Sequence, residues 1–205
     1  MWLQNAPIKL GYGRRNVCRF ALVLASHDMA PDLSPGNEGN IVKGRLGSST
    51  YLTCERWYSP ELEVLEHIAN QEMPKSPYKY SPPSSDLYPG DTSIVDRIGN
   101  LTLWSRSANS STYPEWPDKC LYYSSLTLLT PTTSANIADL KQKLGINNVP
   151  PGLVSIVNAS QYLPHLAPLV LKGLSGQQWD KASVQKRGEN LCHHLFDILI
   201  DWLTP

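Results

Sequence analysis

The segment ELEVLEHIANQ, residues 61–71, decides the fold of the middle of the chain. As a helix it would place Leu62, Leu65 and Ile68 on one buried side and leave Glu66 and His67 as a solvated surface pair. As a strand it would point Glu66 and His67 to opposite faces, so the two side chains can serve different roles around one centre. The segment by itself leaves both interpretations open.

A second segment, IGNLTLWS at residues 98–105, is predicted to form a strand because it combines leucines with a β-branched threonine. Suppose one strand ends at Glu66 and His67, the second carries Gly99 and Asn100, and a helix begins near Asn109. Three polar groups then converge at one edge of a small unit made of a hairpin and a helix.

Such a convergence has the residue types of metal-assisted phosphodiester hydrolysis. Mg²⁺ takes oxygen ligands, which a Glu66 carboxylate and an asparagine amide supply, and it keeps several waters. A neutral His67 beside it can take a proton from an attacking water. A plainer interpretation is also open, in which Asn100 is a turn or strand-edge residue, Asn109 a helix cap and Lys119 a solvated lysine.

The flanking segments predict helices and loops around this unit. Residues 16–28 have helical spacing with Val17, Phe20, Ala21 and Leu24 on one side, and the Pro- and Gly-rich residues 29–40 follow as a loop. Residues 49–57 favour a short strand or an extended segment, and residues 72–91 an irregular proline-rich excursion. Residues 133–145 and 154–174 favour helices. Residues 181–203 predict a closing helix whose apolar side carries Val184, Leu191, Leu195, Ile198, Leu199 and Trp202.

Composition excludes several classes of protein. Lys plus Arg and Asp plus Glu number 18 each, so any contact with nucleic acid must come from a local patch. The cysteines are far apart and form no C-x-x-C pair, which is typical of reduced, mostly buried thiols in a cytoplasmic protein: Cys18, Cys54, Cys120 and Cys192. The sequence has no apolar run of the ~18 residues that a membrane span needs.

The order of these motifs resembles a known family. E-H-I-x-x-Q at residues 66–71 is followed by I-G-N-L-T-L at 98–103, then Asn109, then Lys119. This order resembles the HNH endonuclease domain at the C-terminal end of GmrSD-type modification-dependent restriction enzymes. The family's W-x4-[IV]-x2-R-x3-L ending is matched by Trp179, Val184, Arg187 and Leu191, so the resemblance covers roughly residues 54–202.

The resemblance implies a role for each matched residue. His67 would be the general base, Glu66 and Asn109 the ligands of Mg²⁺ or Mn²⁺, and Asn100 the middle asparagine that holds the loop and orients the His67 region. Lys119 would face the scissile phosphate or a neighbouring one. The cations that flank the two asparagines, Arg97 and Arg106, are expected to contact DNA.

The sequence departs from the family pattern at two positions. Asn70 stands where the family often has proline, which should only loosen the turn. Asp96 stands where the family often has histidine, which could remove a ligand or supply a third carboxylate. Family members commonly carry an upstream ParB-like domain, and none precedes Met1. The chain is therefore expected to be the nuclease half alone, either a truncated form or the cleavage subunit of a two-gene system, with an NTPase-like targeting domain or subunit as its partner.

The resulting prediction is an α+β protein with a small ββα-metal (HNH, or His-Me finger) core wrapped by N- and C-terminal helices. Residues 1–205 form one nuclease domain, with the metal-site core at about 54–125 and a helical part at about 131–205. The expected function is metal-dependent cleavage of DNA in restriction or phage defence. Two rivals are a catalytically inactive DNA-binding or assembly module of the same fold and a structural helical partner domain.

Overall fold

The computed structural model describes residues 2–47, 51–71, 85–88, 94–104, 116, 119–120, 123–124 and 164–204. In these ranges the helices are α1 (Trp2–Lys9), α2 (Arg15–Ala25), α3 (Cys54–Trp57), α4 (Ala167–Leu174) and α5 (Lys181–Leu203). The strands are β1 (Met29–Pro31), β2 (Ile41–Lys43), β3 (Val64–His67) and β4 (Leu101–Trp104). Short 3₁₀ turns lie at Tyr12–Arg14, Pro60–Leu62, Ser85–Leu87, Ile98–Asn100 and Pro164–Leu166. Helices combined with two small two-stranded sheets are compatible with the α+β prediction.

Residues 61–71, whose sequence is compatible with either a helix or a strand, contain the strand β3. β3 pairs antiparallel with β4, with Glu66 opposite Thr102 and His67 opposite Leu101. The amide of Ile68 then donates to the carbonyl of Asn100 at 2.8 Å. The helical interpretation of residues 61–71 is therefore wrong, because this backbone is satisfied by a partner strand far along the chain.

The second strand begins later than predicted. Gly99 and Asn100 lie in the 3₁₀ turn Ile98–Asn100, and β4 starts at Leu101. The turn closes because the Asn100 amide donates to the Arg97 carbonyl at 2.8 Å. The carbonyl of Gly99 accepts a hydrogen bond from Arg187 at 2.9 Å.

The C-terminal helix has the bounds that the sequence predicts. The Asp180 side chain caps its first turn by accepting from the Ser183 amide at 2.7 Å. Val184, Leu191 and Leu195 are buried, but Trp202 is 58 % exposed, so the predicted apolar side ends before the last turn.

Three local predictions are wrong in whole or in part. The helix predicted at 16–28 is found as α2, and Ala21 and Leu24 are buried as predicted, but Val17 and Phe20 are exposed. The predicted strand at 49–57 contains helix α3, since the Thr53 hydroxyl caps Arg56 at 3.1 Å. The predicted loop at 29–40 contains the strand β1, which pairs antiparallel with β2. β2 begins directly after that segment.

The remaining predicted segments are only partly described. Residues 133–145 lie outside the described residues, as does most of the proline-rich stretch 72–91. The helix expected in 154–174 is found at its C-terminal end, as α4.

The core is a cluster of buried apolar side chains from α2, β3, β4 and α5. All four cysteines lie in the described ranges as free thiols, and Cys54 is the exposed one, which agrees with the prediction of mostly buried thiols. In the described ranges, no helix combines the length and apolar composition that a bilayer crossing requires.

The contact between α5 and the turn before β4 depends on glycine. A β-carbon on Gly99 would overlap the carbonyl oxygen of Val184 in α5, whereas one on Gly188 would lie at an ordinary 3.5 Å from the Gly99 nitrogen. The backbones therefore approach too closely for any side chain on the turn.

This asymmetry gives a matched pair of variants. Gly99→Ala should lower the free energy of unfolding by about 3 kcal/mol, the upper range for overpacking, because helix and turn must separate. Gly188→Ala should leave it unchanged or raise it by up to about 1 kcal/mol, because alanine is the better helix former. Urea denaturation of the two variants provides the measurement, and equal losses would contradict this account of the contact.

Candidate active site

His67 is the last residue of β3, and its imidazole is hydrogen-bonded to a carboxylate. It is 8 % exposed, and its Nε2 lies 2.9 Å from Asp96 Oδ1. Gln71 Nε2 donates to the same oxygen at 2.9 Å, and the Tyr12 ring packs on the imidazole with centroids 4.5 Å apart. Because a carboxylate oxygen accepts, the hydrogen of the neutral ring lies on Nε2 and the lone pair is on Nδ1.

The electrostatic surroundings favour the neutral ring. Burial is the largest influence and lowers the pKa of His67 below its usual value, and Lys119 adds to that effect. The hydrogen bond to Asp96 and the charges of Asp96 and Glu66 oppose it. His67 is thus available as a proton acceptor near neutral pH.

Glu66 lies beside His67 and is paired with a buried lysine. Glu66 is 9 % exposed and its Oε1 lies 2.8 Å from Nζ of Lys119, which is 1 % exposed. The Lys119 ammonium also donates to the backbone carbonyl of His67 and, at 3.1 Å, to Asn70 Oδ1. The interpretation of Lys119 as a solvated lysine is therefore wrong, because its charge is compensated inside the protein.

Asn100 is fully buried and uses every polar atom of its side chain. Its Oδ1 accepts from the Ala69 amide at 2.9 Å and from Trp179 Nε1 at 2.8 Å. Its Nδ2 donates to the carbonyls of Ala69 and Val95, both at 2.8 Å. Asn100 thereby ties the segment that follows His67 to the segment that precedes Asp96. It is a turn residue, as the plainer interpretation expects, and its side chain is buried.

Trp179 and Arg187, in the C-terminal part of the chain, support this network through packing and hydrogen bonds. Trp179 is 0 % exposed and packs on Trp116 with ring centroids 5.1 Å apart. Arg187 donates from Nη1 to the carbonyls of Gly99 and Leu101, both at 2.9 Å, and burial lowers its pKa to about 10. The four residues of the W-x4-[IV]-x2-R-x3-L motif are therefore part of the core.

The other predicted site residues have different positions. Asn109 and Arg106 lie outside the described residues. Arg97 is half-buried in the loop before β4. Asn70 does more than loosen a turn, because it accepts from Lys119.

Two neighbours of His67 have roles that sequence reasoning missed. Gln71 belongs to the E-H-I-x-x-Q motif, and that motif was the available signal for it. Tyr12 has no such signal, because it reaches His67 only through the fold.

The donor set near Glu66 is compatible with a hard cation that retains most of its water. In the part of the chain that the structure describes, no three His, Cys, Asp or Glu side chains are arranged to hold a metal. Mg²⁺ is commonly bound through one or two carboxylates, with waters and phosphate completing its shell. Glu66 offers one such carboxylate.

Comparison with known families identifies the chain. Residues 37–194 match the family model of the GmrSD restriction endonucleases, C-terminal domain. The chain belongs to this family, which confirms the resemblance and gives it a role related to restriction endonucleases, whose substrate is DNA. No curated protein gives a significant match. The matched range includes Glu66, His67, Asn100 and Lys119, whereas Tyr12 lies before it.

Proposed function

We propose that the chain is a divalent-metal-dependent endonuclease of the HNH type that hydrolyses DNA phosphodiester bonds in the restriction of modified or foreign DNA. The observation that carries this proposal is the buried His67, which is held by Asp96 through Nε2, follows Glu66 directly in sequence and is influenced by the charge of that carboxylate. Targeting would come from a separate NTPase-like domain or subunit. Free cysteines fit a cytoplasmic setting for the reaction.

His67 is proposed as the general base. Its Nδ1 would take a proton from a water as that water's oxygen attacks phosphorus and the ester oxygen leaves. Asp96 would keep the ring in one orientation and stabilise the imidazolium that forms, as the carboxylate does in other acid–base pairs. Asp96 is thus assigned to His67, and its alternative role as a third metal ligand is not needed.

Glu66 and Asn109 are proposed to hold Mg²⁺ or Mn²⁺. When bound, the cation would stabilise the negative charge that develops on the phosphate. Lys119 contacts Oε1 of Glu66, so Oε2 is the oxygen that a cation would use.

Lys119 and Asn100 are proposed to act by positioning. Lys119 holds both the Glu66 side chain and the His67 carbonyl, and this arrangement favours a positioning role over the direct phosphate contact that the resemblance implies. Asn100 fixes the backbone on both sides of the pair formed by His67 and Asp96. Arg97 and Arg106 remain the proposed contacts to the DNA backbone.

One observation favours the alternative, a catalytically inactive module that binds DNA or supports assembly. The Lys119 ammonium already neutralises Glu66, as a bound cation would. In an inactive protein this pair would replace the metal permanently.

Charge removal at Glu66 distinguishes the two functions. Glu66→Gln should reduce cleavage of plasmid DNA in Mg²⁺ or Mn²⁺ by more than about 100-fold, exceeding the 10–100-fold typical of losing an outer metal-site partner. Glu189→Gln, an exposed carboxylate on α5, should cut at the wild-type rate. The measurement is gel analysis of nicked and linear plasmid in Mg²⁺, Mn²⁺ and EDTA.

The wild-type protein supplies the deciding outcomes. Cleavage that needs the cation and is lost in Glu66→Gln supports the endonuclease. DNA binding without cleavage in any cation would support the inactive module, and absence of both binding and cleavage would overturn both.

A further inference from the structure

The segment before α2 is attached directly to the candidate site. The Tyr12 amide donates to the Asp96 carbonyl at 2.8 Å, and the Ile98 amide donates to the Leu10 carbonyl at 2.9 Å. A β-carbon on Gly11 would overlap the Asp96 carbonyl oxygen, so the two backbones meet too closely for a side chain at that position. The backbone that carries Tyr12 is thus fixed against the backbone that carries Asp96.

Tyr12 contacts both the site histidine and an exposed cation. Its ring is tilted by 52° on the His67 ring, with centroids 4.5 Å apart. The guanidinium carbon of Arg15 lies 4.2 Å from the centroid of the same Tyr12 ring, and Arg15 Nη2 donates to the Tyr12 hydroxyl at 2.7 Å. Arg15 itself is exposed, so the stacking and the hydrogen bond hold its charge at the surface, on the ring that packs on His67.

We infer that Arg15, held on Tyr12, binds a phosphate of the DNA backbone close to the phosphodiester that His67 attacks. Arginine carries five N–H donors in a planar fork that suits phosphate, and Tyr12 takes one of them. Because the chain has no net charge, DNA must be held by local cations, and this one is positioned through the ring that packs on His67. The inference rests on the proposed function, and it lies outside the matched residues 37–194.

The arrangement also predicts what Arg15 does not do. A contact to phosphate fixes the register of the DNA and carries no direct base information. Loss of Arg15 should therefore weaken binding to unrelated sequences about equally and leave the choice of cut sites unchanged.

The test compares the salt dependence of DNA binding for the full chain and three variants. Binding is measured by fluorescence anisotropy on a labelled duplex, with Ca²⁺ replacing Mg²⁺ and with the DNA verified to be uncut. Arg15→Gln should reduce the slope of log affinity against log salt by about 0.9, the value for one phosphate contact on duplex DNA. Arg45→Gln, an exposed arginine beyond β2, should leave the slope unchanged. Tyr12→Phe keeps the ring on His67 but removes the hydroxyl that holds Arg15, so its affinity should lie between those of wild type and Arg15→Gln.

The outcomes separate this inference from the proposed function. If wild type cuts DNA and Arg15→Gln gives a line parallel to that of wild type, the inference is wrong and the proposed function stands. Equal slope losses in Arg15→Gln and Arg45→Gln would also overturn it, because the effect would then reflect net charge. A wild-type chain that binds no DNA would overturn both. Thermal melting of each variant checks that the fold is retained.

Discussion

His67→Ala is expected to reduce DNA cleavage in Mg²⁺ or Mn²⁺ by about 10²- to 10⁴-fold, the contribution typical of a positioned general base. The reason is that Nδ1 of His67 carries the lone pair of the neutral ring while Nε2 is held by Asp96. Initial rates on supercoiled plasmid, with protein in excess over DNA, provide the measurement.

Two controls separate the loss of a base from a loss of structure. His193→Ala removes an exposed histidine from α5 and should cut like wild type. Because His67 is only 8 % exposed, its replacement by alanine should also cost up to about 2 kcal/mol of stability, so rates are compared well below the melting transition. Undiminished cleavage by a folded His67→Ala protein would remove His67 from the mechanism.

Asn100→Ala is expected to cause the largest loss of stability, at least about 4 kcal/mol. Four buried partners lose their hydrogen bonds at once, namely the amide and carbonyl of Ala69, the carbonyl of Val95 and Nε1 of Trp179. Each buried group left unsatisfied costs about 1–3 kcal/mol. Guanidinium chloride unfolding, followed by tryptophan fluorescence and by circular dichroism, gives the free energy.

Two substitutions of Trp179 calibrate that value. Trp179→Phe removes one donor to Asn100 and should cost about 1–2 kcal/mol, whereas Trp179→Ala also empties a buried site and should cost about 3–5 kcal/mol. If Asn100→Ala were no more destabilising than Trp179→Phe, the network would contribute little and the Trp179 contact would explain the region. Normal stability combined with lost cleavage would instead assign Asn100 to the chemistry alone.

Sequence reasoning succeeded where the pattern is local. The closing helix follows from a 3.6-residue apolar spacing that lies within its own residues. β3 shows the limit, because Leu62, Leu65 and Ile68 also have helical spacing. The pairing with β4 decides between helix and strand, and that pairing is a contact between distant segments.

The residues of the candidate site could be predicted from the sequence, but the contacts between their side chains could not. Glu66 and His67 stand out as adjacent polar residues, and the motif order indicates Asn100 and Lys119. The burial of Lys119 against Glu66 could not be predicted, because lysine is usually exposed. The contact of Tyr12 with His67 joins residues that no sequence spacing relates.

The hydrogen bonds from Arg187 to the turn before β4 impose an order of assembly on the protein. Arg187 and Gly99 are 88 positions apart, and Trp179 and Asn100 are 79 positions apart. Contacts between residues this far apart in sequence form late in folding, because the chain between them must first lose conformational entropy. A nascent chain that ends before Trp179 contains His67, Glu66 and Asp96 but lacks the donors that secure the loop between them. The candidate site would therefore take its final form only after Trp179 and Arg187 have been synthesised, long after His67, Glu66 and Asp96.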